Sequence, residues 1–335
     1  MRRKYMCVLL GMASLSLLLA GCSGQAQEEG GLTRVRLNEV VHSIFYAPQY
    51  VAIELGFFEE YGIEIELEVG NGADRSMTAL LSNNADIGLM GIEASFYVFN
   101  EGREDFAQPF AQLTARAGNF LVAREPMPDF SWEDVRGRTI IGGRIGGMPQ
   151  MVLEYILHEN GIVPGVDVEI LTNLAFTTTA AAFTGGVGDF TAEFDPSAFM
   201  LEQAGIGYVV ASLGEASGVV PYTVYMATLS FIAENPDVVQ NFTNAIQRAQ
   251  VWVSENSPAD IARVIQPQFP ENTYDELEVM IRRYQDIGAW LVDPVIEREG
   301  FELLQDIMEQ SGQLNRRVEF DGFVNNDFAR NAMGR

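Results

Sequence analysis

The chain has 335 residues, 47% hydrophobic and 20% charged, an ordinary globular mix that excludes wholesale disorder and fibrous classes. At roughly 150 residues per domain it has room for about two domains. Forty-six Asp and Glu stand against 21 Lys and Arg, a net charge of -25, and a nucleic-acid backbone needs a cationic footprint, so DNA and RNA are excluded as partners.

Arg2, Arg3 and Lys4 precede an apolar run, Tyr5 to Ala20, that is short for a bilayer-spanning helix but suits a signal peptide. It ends in Leu19-Ala20-Gly21-Cys22, which resembles a bacterial lipobox. Residues 1–21 are expected to be a lipoprotein signal peptide, with Cys22 the lipidated first residue of the mature chain. Residues 22–32 are polar and glycine-bounded, as a flexible tether would be. Cleavage removes Cys7 and so excludes an internal disulfide. It also removes Lys4, the only lysine, which excludes a Schiff base, a P-loop lysine and a lysine nucleophile.

From Arg34 strands and helices alternate. Val35 to Leu37 predicts a strand, Ala47, Tyr50, Val51 and Leu55 one helix face, and Gly56 its cap. Ile63, Ile65, Leu67 and Val69 alternate with three glutamates, the period of a strand. A helix near 74–82, a strand at 86–90 and a helix near 93–100 follow. After Glu125, strands at 139–142, 168–171, 190–194 and 208–211 alternate with helices at 150–159, 178–183 and 197–203. Such spacing predicts parallel βαβ units with right-handed crossovers. Residues 222–229 read as extended. Four helices are expected beyond Asn235, at 237–253, 258–265, 274–287 and 294–310. Two α/β halves then face one another, and the cleft between them, beyond the carboxyl ends of the strands, is the expected site.

The run Tyr46-Ala47-Pro48-Gln49-Tyr50-Val51-Ala52 with Glu54-Leu55-Gly56-Phe57-Phe58 resembles the opening of the NitT/TauT-type substrate-binding proteins of ABC importers, the nitrate, sulfonate, taurine and thiamine-pyrimidine group. The likeness continues at Ala79-Leu80-Leu81, Ala85-Asp86-Ile87-Gly88, Gly142-Gly143-Arg144 and Phe194-Asp195-Pro196. The resemblance implies an α/β, two-lobed periplasmic-binding-protein fold of type II with a helical C-terminal region. The lobes are expected at 33–118 plus 224–335 and at 119–223. It further implies an extracytoplasmic receptor, lipid-anchored to the bacterial cell membrane, monomeric, and partnered by a permease and an ATPase. Its ligand is expected to be a small organic solute, sulfonate- or taurine-like, or a thiamine-pyrimidine or other vitamin precursor, trapped by hinge closure. The alternatives are an extracytoplasmic enzyme or a sensory receptor on the same fold. Related pyrimidine synthases carry a Cys-rich iron motif and a cofactor-binding lysine; neither exists here. No cofactor and no metal site are expected, since two separated histidines and no CxxC or HExxH make none.

Candidate ligand contacts follow from loops expected at the strand ends. His42, Ser43 and Tyr46 carry hydrogen-bonding groups and Phe45 a stacking face; the alternatives are a solvated His42 and a Phe45 packed at the hinge. Gly72, before a helix, is a candidate to present main-chain N–H groups to an anion. Gly91 permits close backbone approach. Glu93 either pairs with a cationic or amide-bearing ligand or favours its own helix N-terminus. The loop Gly142 to Met148 offers Gly146 as a main-chain donor and Arg144 as a fork for a planar oxyanion; otherwise Arg144 pairs with a surface acid. Thr178 is a hydroxyl contact or a cap. Glu193 and Asp195, on one side of their strand, bind an amine or amide or repel anions. Of Tyr222 and Tyr225, at the expected second crossover, at most one reaches ligand.

Overall fold

In the computed structural model the described residues run from 31 to 334. The expected signal peptide, Cys22 and all but the last two residues of the expected tether lie outside them. Strand β1 (Thr33–Glu39) buries Val35 and Leu37 and pairs in parallel with β2 (Ile63–Val69), setting Val35 beside Ile65 and Leu37 beside Leu67. β2 is a sheet edge, and its alternating glutamates Glu64, Glu66 and Glu68 give that edge the charge that discourages further pairing. Arg34 reaches Glu66 at 2.6 Å.

Two five-stranded sheets form. The first, ordered β2-β1-β3-β10-β4, adds β3 (Ile87–Met90), β4 (Ala107–Thr114) and β10 (Thr223–Thr228). The second, ordered β7-β6-β8-β5-β9, holds β5 (Asn119–Ala123), β6 (Thr139–Ile141), β7 (Glu169–Leu171), β8 (Phe190–Phe194) and β9 (Tyr208–Ser212). Expectation and structure differ in two respects. β4 and β5 carry no alternating signal because every residue of both is buried, so neither strand has a polar face to read. The sheets are also mixed rather than parallel: β10 runs antiparallel to β3 and β4, and β5 antiparallel to β8 and β9. Those two strands follow the crossings from one sheet to the other, where no βαβ unit fixes their direction. Pro109 lies in the edge strand β4, opposite Met226 at a register shift, a position where its missing N–H breaks no ladder.

The chain crosses between sheets twice, from β4 to β5 and from β9 to β10, and the crossings lie side by side. Val220 N donates to Ala115 O at 2.9 Å, Tyr222 N to Thr114 O at 3.2 Å, and the Thr114 and Thr223 hydroxyls meet at 2.6 Å. The C-terminal helices are not a detached tail. The helix Pro236–Glu255 lays Val239, Phe242, Ile246, Ala249 and Val253 inward, a helical stripe, and Phe242 meets Phe58, Phe110 and Tyr225. Each such ring taken from water contributes about 1.5–3 kcal/mol.

The helix Tyr274–Asp286 brings Tyr284 to the crossing. Its buried hydroxyl donates to Gly118 O and accepts from Asp195 N, both at 3.0 Å. Tyr284→Phe leaves a buried carbonyl and a buried N–H without partners, so it should lower unfolding stability by about 1–3 kcal/mol, read from the urea midpoint at unchanged slope.

Candidate functional site

The strand order β2-β1-β3 and its counterpart β7-β6-β8 place the carboxyl ends of parallel strands toward one another. Loops from both sheets enclose a cavity of about 550 Å³. The first sheet supplies Tyr46, Gly72, Gly91, Glu93 and Tyr97 to its wall. The second supplies the loop from Arg144 to Pro149, with Phe176 and Phe194, and the crossing supplies Tyr222 and Thr223.

Glu93 opens the helix Glu93–Asn100 just beyond β3, and only 3% of it is exposed. Gly91 makes room for it: a Cβ at Gly91 would stand 1.9 Å from Glu93 Oε2. That oxygen has no hydrogen-bond partner among the described residues. Burial pushes the carboxyl up to about 8, against the pull of its own N–H and of Met148 N–H at the start of the helix Met148–Glu159. The buried hydroxyl of Tyr222, also in the wall, has no protein partner either. Phe194 packs against Tyr222 at 6.4 Å and against Phe176 at 5.5 Å, so one side of the cavity is aromatic.

The rim is polar and bridges the two sheets. Arg144 Nη1 lies 3.2 Å from Asp74 Oδ1, with the side chains 50% and 60% exposed. Tyr97 Oη donates to Gly146 O at 2.8 Å. Three of the main-chain donors in the loops expected to cradle an anion are spent inside the protein. Gly72 N donates to Val40 O at 3.1 Å, Gly147 N to Arg144 O at 3.1 Å and Gly146 N to Gln150 Oε1 at 2.9 Å.

Of the residues singled out from sequence, Tyr46, Gly72, Gly91, Glu93, Arg144, Gly146 and Tyr222 meet at this wall. Six others lie outside it. His42 turns away, Nδ1 2.7 Å from Glu39 Oε1 and Nε2 2.9 Å from Gln268 O, and stacks on Phe269 at 4.7 Å. Burial lowers its basicity, but the hydrogen bonds that its ring N–H groups donate to Glu39 and to the Gln268 carbonyl outweigh that and raise it. Ser43 Oγ donates to Asp195 O at 2.7 Å, a bond from the first sheet's loop to the end of β8. Phe45 is fully buried among rings. Thr178 is exposed and its hydroxyl donates to Ala175 O at 2.8 Å. Glu193 accepts from Thr191 Oγ1 at 2.7 Å, and burial pushes it up to about 7. Asp195 accepts from Phe199 N at 2.9 Å and lies 3.6 Å from Arg283; burial pushes it up to about 6. Tyr225, the alternative to Tyr222, donates to Gln49 Oε1 at 3.0 Å and is buried in the first sheet.

Tyr97, Phe176 and Gln313 complete the wall without having been singled out. Tyr97 had a readable signal, four residues after Glu93 and therefore on the same helix face. Phe176 and Gln313 arrive from loops that carry no local pattern.

The NMT1-like family model matches residues 40–266. The Bacillus subtilis (strain 168) protein named "Putative binding protein YtlA" is 43% identical over 329 residues, 98% of this chain and 97% of its own length. The alkanesulfonate-binding protein SsuA from Xanthomonas axonopodis pv. citri, solved bound to MOPS, matches with a TM-score of 0.70 at 15% identity, over 88% of this chain and 99% of that one. The periplasmic nitrate-binding protein NrtA from Synechocystis PCC 6803 matches with a TM-score of 0.68 at 16% identity, over 90% and 89%. At such identities the two structures speak for the fold, and the family match and the bacillar relative for kinship. The chain belongs to the NMT1-like family and has the periplasmic-binding-protein fold of the SsuA and NrtA type.

Proposed function

We propose that this protein is the extracytoplasmic solute receptor of an ABC importer, holding a small organic molecule between two lobes and presenting it to a membrane permease and its ATPase. The observation that carries the reading is the cavity of about 550 Å³ walled by loops of both sheets, with Glu93 and Tyr222 in its wall, each keeping a buried polar atom that has no partner among the described residues. Buried polar groups are ordinarily satisfied, and a ligand is what would satisfy these two. Kinship to a protein named as a binding protein supports the same reading.

In this proposal the lobes are 33–118 plus 224–335 and 119–223, and the paired crossings are the hinge. A ligand touching both lobes favours the closed arrangement by its differential affinity for it. The Arg144–Asp74 pair and the Tyr97–Gly146 bond latch the rim. Lipid on Cys22 and the tether would hold the receptor beside its permease.

Native mass spectrometry of the purified protein should show one small molecule per chain, released on denaturation, and small-angle scattering should show the protein contract when that molecule is added back. Protein that neither carries nor binds a small molecule refutes the receptor reading. Arg144→Ala removes a solvent-exposed pair worth about 0.2–1 kcal/mol, so calorimetry should find affinity for the released molecule lowered less than about tenfold.

A further inference from the structure

We propose that the solute is an organic cation, a protonated amine on an apolar body, whose N–H is received by Glu93 while Tyr222 meets a second polar group; this rests on the receptor reading above. The charged residues in the cavity wall are Asp74, Glu93 and Arg144. Asp74 and Arg144 stand half-exposed at the rim and neutralise one another. Glu93 is the ionisable group of the three that is buried, and Oε2 has no hydrogen-bond partner among the described residues. An ammonium or other charged N–H group is the chemistry that satisfies a dry carboxylate, because the bond is charge-assisted and the pair enters the cavity neutral overall.

Three further observations oppose an anion. The N–H groups of Gly72, Gly146 and Gly147 are spent on internal acceptors. The one guanidinium in the wall is engaged by Asp74. Tyr46, Tyr97, Phe176, Phe194 and Tyr222 present aromatic surfaces, whose negative faces attract cations and offer an anion nothing. At about 550 Å³ the cavity also has space for an organic body well beyond a small inorganic ion.

The groups facing Glu93 define how binding responds to pH. They are the phenols of Tyr46, Tyr97 and Tyr222, all held neutral by burial with the nearby Glu93 charge adding to it, and Met148 N–H from the opposite sheet; Arg144 and Asp74 lie at the rim. Glu93 is raised to about 8 without ligand. Below that pH the carboxyl holds a proton that an ammonium must displace. Amine binding should therefore strengthen nearly tenfold from pH 6 to pH 7 and level off above about 8, releasing close to one proton at pH 7. A ligand that accepts from the protonated carboxyl would instead bind evenly below about pH 8 and weaken above it.

The test is a melting-temperature screen of the purified full-length protein with three panels sharing the same aromatic and aliphatic bodies. One panel carries protonated amines, the second neutral alcohols and amides, the third sulfonates and carboxylates. The expected result is stabilisation by the amine panel alone, lost at least tenfold in affinity in Glu93→Gln, whose unliganded melting point should equal or exceed that of the natural protein. Calorimetry of the best amine in two buffers of different ionisation enthalpy should then show the proton release, on the natural protein and independently of how the variant folds. Stabilisation by the neutral or anionic panel with the amines silent overturns the cation and leaves the receptor standing. So does amine binding that neither Glu93→Gln nor pH alters. Silence in all three panels, with no small molecule carried by the purified protein, overturns both readings.

Discussion

Phe45 is the point on which the two sheets are fixed. Its ring is fully buried and lies within 5.3 to 5.8 Å of the rings of Tyr46, Phe194, Tyr222 and Tyr284. Those four come from the first sheet's loop, the end of β8, the second crossing and a C-terminal helix. The first crossing contributes an absence: a Cβ at Gly118 would stand 2.4 Å from the Phe45 ring. Trp290 Nε1 donates to Phe45 O at 2.8 Å, so the backbone is held as well as the side chain. Rings set in this way cannot slide independently, because close-packed interiors resist partial displacement. The consequence for the site is direct, since Tyr46, Phe194 and Tyr222 each pack against Phe45 and also line the cavity. The stacking face that the sequence offered to a ligand is used instead to hold the residues that do line the cavity.

The polar groups around this cluster repeat the logic. Ser43 Oγ to Asp195 O ties the first sheet's loop to the end of β8, and Tyr284 Oη to Gly118 O ties the C-terminal helix to the segment that enters the second sheet. His42 and Glu39 complete a separate set with Gln49 and Tyr50, in which the polar atoms serve one another and His42 also reaches Gln268 O. Histidine, serine and aspartate near a cleft are the residue types that suggest ligand contacts. Here they lie outside the cavity wall, and this separates them from Glu93 and Tyr222, which line it.

What could be read from sequence follows from where polarity differs between faces. Ile63 to Val69 declared itself through its glutamates, and Gly56 through the left-handed conformation, φ 70°, that ends its helix. β4 and β5 were silent because both faces are buried, and the reversal of β10 left no trace, since an alternating period is the same in either direction. In the site, position after a strand was enough to suggest Gly91, Glu93 and Arg144. Their partners were not legible: Asp74 lies 70 residues from Arg144, and nothing local announces which acid a surface arginine will meet.

Charge at two scales points the same way. A net charge of -25 surrounds the protein with a potential that enriches cations near it and depletes anions, over about 8 Å at physiological salt. That field is non-specific and selects no ligand, but it lowers the encounter rate of any anionic solute. At the cavity the preference becomes specific, because Gly91 leaves space for a carboxyl group where a side chain would have excluded it, and no arginine reaches in to neutralise it. A receptor for sulfonate or nitrate on this fold would need free main-chain donors or a buried cation at the strand ends. In this chain the N–H groups of Gly72, Gly147 and Gly146 are taken by Val40, Arg144 and Gln150, and Arg144 is paired with Asp74 at the rim. The shared fold therefore sets where a ligand sits, while a handful of loop side chains sets the sign of the charge it carries.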